Sequence, residues 1–195
     1  GQPSHGQWVA AQGDVFTAAD GMEVTLRRVS APTPQGPFES YSLLFDIAAT
    51  PETLWRAWSD PALKRAWFAD NDGPGWETLD HTLDFREGGT ETGRFLHTSD
   101  DPAMAAFRGE HRNATTYLVI EDRARIVFAY TMSINGRVHS ASLATVTFEQ
   151  SGKGTRLTFT ETLQGIGQTD GPEGRKHGWT ALLNNLEQSV TQPAH

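Results

Sequence analysis

From Arg125 to Leu163 the chain alternates between apolar and polar positions through three successive stretches. Ile126, Phe128, Tyr130 and Met132 alternate with smaller or more polar residues. Leu157, Phe159, Glu161 and Leu163 share one face of the last stretch, with Arg156, Thr158, Thr160 and Thr162 on the other. A period of two marks strands that bury one face. Asn135-Gly136 joins the first stretch to a long second strand, from about Arg137 to Gln150, and Ser151-Gly152-Lys153-Gly154 joins that strand to the third. Asn-Gly tolerates the positive φ angles of a tight hairpin turn, so the spacing predicts a three-stranded antiparallel meander. Its inward face carries one residue foreign to an apolar interior, Glu161.

The same patterning extends upstream. Phe38 to Ile47 reads as the first core strand. Thr50-Pro51-Glu52 and Asp60-Pro61 each supply an N-cap residue followed by proline at the first helical position. They predict two short helices in tandem, the first bearing Leu54, Trp55 and Trp58, the second Leu63, Ala66, Trp67 and Phe68. Thr78 to Arg86 is a strand with Leu79, His81, Leu83 and Phe85 on one face. Glu91 to His97 runs back, Ser99 to Glu110 is a long polar loop near a cavity mouth, and Thr115 to Glu121 is the next strand. The glycine-rich stretch Gly165 to Gly174 ends the sheet. Trp179, Leu182, Leu183, Leu186 and Val190 then form one stripe of a long helix from about Pro172 to Pro193.

The order is strand, two short helices, about six antiparallel strands and a long C-terminal helix. That is an α+β fold in which the helix buries its stripe in the concave face of a curved sheet. The domain spans 38–192. Residues 1–37 form an extension: Gly1 to Gly13 reads as mobile, Val15 to Val29 as an extra hairpin around Asp20-Gly21, and Ala31 to Pro37, with three prolines, as a linker.

Composition narrows the function classes. A chain of 195 residues suits one domain and can bury roughly 70% of its unfolded surface, enough for a core with an internal cavity. The net charge is −8, and the 16 basic residues form no run, which argues against nucleic acid and anionic membrane as partners. The absence of cysteine removes disulfides, thiol chemistry and thiolate metal sites. Apolar runs fall short of the ~20 residues that span a bilayer, and no charged-then-apolar leader is seen. The expected location is cytoplasmic. Seven histidines without a His-x-x-x-His pair give no metal site, and no cofactor is expected. Gly152-Lys153-Gly154-Thr155 resembles the end of a phosphate loop, but Thr147 stands where the upstream glycine belongs, so it reads as a hairpin turn.

Several strings carry a family resemblance. They are Phe45 through Trp58, Asp60-Pro61 through Trp67-Phe68, Asp84-Phe85-Arg86-Glu87-Gly88-Gly89, Ser142 through Phe148, Gly154 through Glu161, and His177-Gly178. In this order the chain from Phe38 to Val190 resembles the START/SRPBCC superfamily, the birch-pollen-allergen-like helix-grip proteins. Within it, the chain more closely resembles the branch named after the activator of the heat-shock ATPase, often labelled polyketide-cyclase-like in bacteria. The resemblance implies a hydrophobic cavity between sheet and C-terminal helix. It implies no single activity, because the fold hosts carriers, receptors, cyclases and co-chaperones.

Candidate chemistry follows from polar residues on apolar faces. A buried Glu161 needs a partner or loses its charge. It would orient a ligand hydroxyl or act as acid/base, or else pair with Arg94, Arg137 or Arg175. His81 shares a face with Leu79, Leu83 and Phe85 and reads either as a hydrogen-bonded core residue or as the second half of an acid/base pair with Glu161. His177 belongs to the family-like His-Gly string, although the helical wheel turns it away from Trp179, Leu182 and Leu186 and brings Arg175 near the stripe. Trp58, Trp67, Phe85, Tyr117, Tyr130, Phe159 and Trp179 are core residues or pocket wall. Tyr130 ranks first among them, because a buried hydroxyl wants a partner.

The expected function is binding of a small apolar or aromatic molecule, as a monomer or a homodimer. The alternatives are a cyclase or dehydratase using Glu161 with His81 or His177, and a chaperone-associated interaction module.

Overall fold

A computed structural model describes residues 8–12, 15–18, 23–25, 38–70, 75–100, 102–166 and 171–191. The chain divides into two compact units, Gly1–Pro34 and Gln35–His195. In the first, β1 (Trp8–Gln12), β2 (Val15–Ala18) and β3 (Glu23–Thr25) pair antiparallel in that order. The expected hairpin is therefore present as β2–β3. Trp8–Gln12, read from sequence as mobile, is a third strand. The expected linker, residues 31–37, and the helix-ending Pro193 lie outside the described residues.

The second unit runs β4 (Glu39–Ile47), α1 (Pro51–Ser59), α2 (Pro61–Phe68), β5 (Trp76–Leu83), β6 (Thr90–His97), a 3-10 helix (Pro102–Phe107), β7 (Gly109–Glu121), β8 (Arg125–Ile134), β9 (Arg137–Ser151), β10 (Gly154–Gly165) and α3 (Gly171–Thr191). The seven strands form one antiparallel sheet in the order β4-β10-β9-β8-β7-β6-β5. Asn135 and Gly136 take φ of 50° and 77° in the β8–β9 turn, as an Asn-Gly hairpin requires. The two short helices begin as their caps dictate. Thr50 accepts from the Thr53 amide, and Asp60 accepts from the amides of Ala62 and Leu63.

Helix α3 lies over the inward faces of β4 and β8 to β10 and also touches α1 and α2. Trp179, Leu183 and Leu186 are buried; Leu182 and Val190 are partly buried against the core. Three details depart from the sequence reading. The Ser99–Glu110 stretch is not all loop: it holds the 3-10 helix and the start of β7. In β5 the register shifts between Thr78 and Asp80, which leaves Leu79 40% exposed while His81 and Leu83 turn inward. In α2, Leu63 and Ala66 face solvent, and Lys64 takes the inward place beside Trp67. Lys64 lies three and four residues before Trp67 and Phe68, the neighbour spacing on a helix, and a stripe drawn from apolar residues alone does not include it.

Candidate ligand-binding site

Beneath the first half of α3 lies a cavity of about 580 Å³. Its wall is mainly apolar: Phe68, Trp76, Phe95, Phe107, Phe128, Met132, Ile134, Trp179 and Leu182. Its polar side chains include members of two networks, together with His111, Asn113 and Thr115 of β7 and His139 of β9. Exposed Gly174, His177 and Gly178 mark the rim.

The first network centres on Glu161, fully buried on β10. Cross-strand register puts Tyr41 of β4 opposite it, and both Tyr41 and Tyr130 donate their hydroxyls to its carboxylate, Tyr130 at 2.5 Å. Arg175 descends from α3 to within 3.4 Å of the same carboxylate. It also donates to the Tyr130 hydroxyl at 3.0 Å and to Ser140 at 2.7 Å. Trp179 Nε1 completes the shell with a 2.9 Å bond to Tyr130. Room for the guanidinium comes from the small inward residues Ser140, Ser142 and Ala144 of β9. Burial, reinforced by the Glu161 carboxylate, holds the Tyr41 hydroxyl far above the ordinary phenol range. Burial does the same for Tyr130, with Arg175 opposing and Glu161 adding to it. Both phenols thus stay protonated donors.

The second network centres on Glu91 of β6. Tyr117 donates to one carboxylate oxygen at 2.6 Å. His81 Nε2 lies 2.9 Å and Lys64 Nζ 3.7 Å from the other. The Lys64 ammonium is enclosed by the rings of Trp58, Trp67 and Phe68, at 3.9, 4.2 and 4.6 Å from their centroids. Burial lowers the Lys64 pKa to about 8, although Glu91 pulls it up. Burial pushes Glu91 up, but Lys64, His81 and Tyr117 together outweigh it and leave the carboxyl below its usual range.

A pH prediction follows from Lys64. Its folded pKa of about 8 lies below the ordinary lysine value of 10.5. Between those values the unfolded chain holds the proton and the folded chain does not, so folding stability rises with pH. Wild type should gain on Lys64→Met by up to about 1.4 kcal/mol per pH unit between pH 8 and 10. Urea denaturation of both proteins at pH 8, 9 and 10 measures it. Taking the difference cancels the alkaline terms from Tyr41 and Tyr130, and a difference independent of pH would contradict the buried-ammonium account.

The sequence-derived site residues fall into two groups. Tyr130, Trp179 and His177 line the cavity. Trp58, Trp67, Phe85, Tyr117, Phe159, His81 and Glu161 stand behind the wall. Phe85 is caught between Trp55 and Tyr117, at 5.6 and 5.1 Å, and Phe159 packs on Trp179 at 4.2 Å. His81 and Glu161 do not pair: each binds within its own network. Of Arg94, Arg137 and Arg175, it is Arg175 that meets Glu161, while Arg94 binds Glu110. Residues missed from sequence include Lys64, Glu91, Phe95, Phe107, His111, Asn113 and His139. For Glu91 a signal existed, since Glu91, Gly93, Phe95 and His97 alternate as an inward face does.

A long helix gripped by a curved antiparallel sheet above a lined cavity defines a helix-grip domain. Residues 48–191 match the family described as Activator of Hsp90 ATPase homolog 1-like protein, and the chain belongs to that family. Among solved structures it is similar to the Mll3558 protein of Rhizobium loti, at 32% identity and a TM-score of 0.66 over 79% of this chain and 98% of that one. It is also similar to a putative uncharacterized protein of Rhizobium leguminosarum, at 35% identity and a TM-score of 0.64 over 79% and 96%. An AHSA1-like protein of Aeromonas hydrophila shares the fold at 21% identity and a TM-score of 0.57, over 80% and 99%. No curated protein matches the chain. Among the described residues, no helix is long and apolar enough to cross a membrane.

Proposed function

We propose that the protein binds a small, mostly apolar or aromatic molecule beneath α3. The observation that carries this is the cavity itself: about 580 Å³ of space, within the range typical of small-molecule sites. It is walled by aromatic rings and edged by two fixed polar groups, Arg175 with Tyr130 and Lys64 with Glu91. An apolar body would displace water from the wall, and one or two ligand oxygens would meet the polar edges and set its orientation. Glu161, enclosed by Tyr41, Tyr130 and Arg175, acts in this reading as the anchor that orients Arg175 and Tyr130.

Titration with 2-naphthylmethanol, followed by tryptophan fluorescence and calorimetry, tests the proposal. Saturable binding is expected. Met132→Trp, which adds bulk on the wall, should weaken it at least tenfold while the melting temperature holds. Equal affinity in wild type and Met132→Trp would place the probe elsewhere and refute the reading.

A further inference from the structure

We propose that Lys64 is a covalent attachment point, whose ε-amine captures an apolar or aromatic aldehyde in the cavity as a reversible imine. The inference rests on the cavity-binding reading and names the ligand class and the reacting atom.

Three observations converge on it. Lys64 is 1% exposed, yet it belongs to the cavity wall, as does Glu91 beside it. Its Nζ is held by ring faces, and its nearest carboxylate oxygen, 3.7 Å away, is at ion-pair rather than close hydrogen-bond distance. An ammonium so placed has little to hold its proton apart from Glu91 and the ring faces. Finally, Glu91 is fixed by Tyr117 and His81, so one oriented carboxylate stands beside the amine.

Desolvated lysines in apolar pockets are the ones that act as amine nucleophiles. With a pKa of about 8, about a fifth of the Lys64 amine is neutral near pH 7.4, against about one part in a thousand for an exposed lysine. The titratable groups facing it are Glu91 from β6 and, through Glu91, His81 from β5 and Tyr117 from β7.

The chemistry balances without a further reagent. The Nζ lone pair forms a bond to the carbonyl carbon, and the carbonyl π pair moves to oxygen. One proton passes from nitrogen to that oxygen through the Glu91 carboxylate, giving a carbinolamine. The C–O bond then breaks, the oxygen leaves as water with a second proton from nitrogen, and a C=N bond remains. Amine and aldehyde give imine and water, and hydrolysis reverses it. The wall of Phe68, Phe95, Phe107 and Phe128 selects an apolar or aromatic aldehyde over a sugar.

The experiment is reductive trapping of the full chain with 2-naphthaldehyde and cyanoborohydride, read by peptide mapping. The map is simple, because Lys64, Lys153 and Lys176 are the only lysines in the chain. At pH 7.5, Lys64 should be trapped at least tenfold faster than Lys153 or Lys176. Its rate should level off above about pH 8 to 9, while theirs keeps climbing past pH 10. Lys64→Arg should abolish the fast adduct, and the pH profile on wild type stands even if that variant folds poorly. Labelling confined to Lys153, Lys176 and the α-amine, with 2-naphthylmethanol still bound in the cavity, overturns the inference and leaves the cavity reading intact. If the alcohol does not bind and Lys64 is not trapped, both fall.

Discussion

Arg175→Met is expected to destabilise the protein by about 3–5 kcal/mol, the usual cost of removing one partner from a buried charge pair. Methionine keeps an unbranched apolar stem, though a shorter one, and leaves Glu161, fully buried, with two phenol donors and no cation. The same guanidinium also binds Tyr130 and Ser140 and lies 5.5 Å from the Tyr130 ring. It therefore ties α3 to β8, β9 and β10 at once. Urea denaturation at pH 7 reads the loss. Adding Glu161→Gln to Arg175→Met removes the uncompensated charge, so the double variant should recover part of the stability. A loss below about 1 kcal/mol for Arg175→Met alone would mean the pair is hydrated rather than buried.

Trp58→Ala should cost a similar amount, about 3–5 kcal/mol, through the cavity it opens. Trp58 is fully buried, stacks on Trp179 at 6.4 Å with 8° between planes, and meets Trp67, Phe128 and Phe148. It also forms the closest ring face above Lys64, at 3.9 Å. Its Nε1 has no hydrogen-bond partner among the described residues, whereas Trp67 Nε1 donates to the Ala57 carbonyl at 2.8 Å. Trp67→Phe should therefore cost about 1 kcal/mol more than Trp58→Phe, because it strands a buried acceptor and the other does not. Thermal and urea unfolding of the three variants check the order. A reversed order of the two phenylalanine variants would show that packing differences between the two rings outweigh the hydrogen bond.

Much of the architecture follows from local rules. Asn135-Gly136, the caps Thr50 and Asp60, and the period-two faces of β8 and β10 act over a few residues, and each was legible where it stood. So was the turn of Arg175 toward the stripe of α3, because a helical wheel is a local geometry. The β5 bulge was not legible. It shifts the phase of one strand against its neighbour, and a phase is defined only by pairing. The inward course of Lys64 was hidden because a cationic residue reads as solvent-facing until a carboxylate and three rings are seen around it.

The sequence by itself determined the element order, the buried faces and the need of Glu161 for a partner, since these depend on neighbours along the chain. Only the tertiary structure decided which aromatics fill the core and which border the cavity, because both kinds share the same periodicity. It also decided that Glu161 meets Arg175 while His81 meets Glu91. Such pairings join residues 14 and 10 positions apart on different elements, and the distance between those elements is set by how the whole sheet curves around α3.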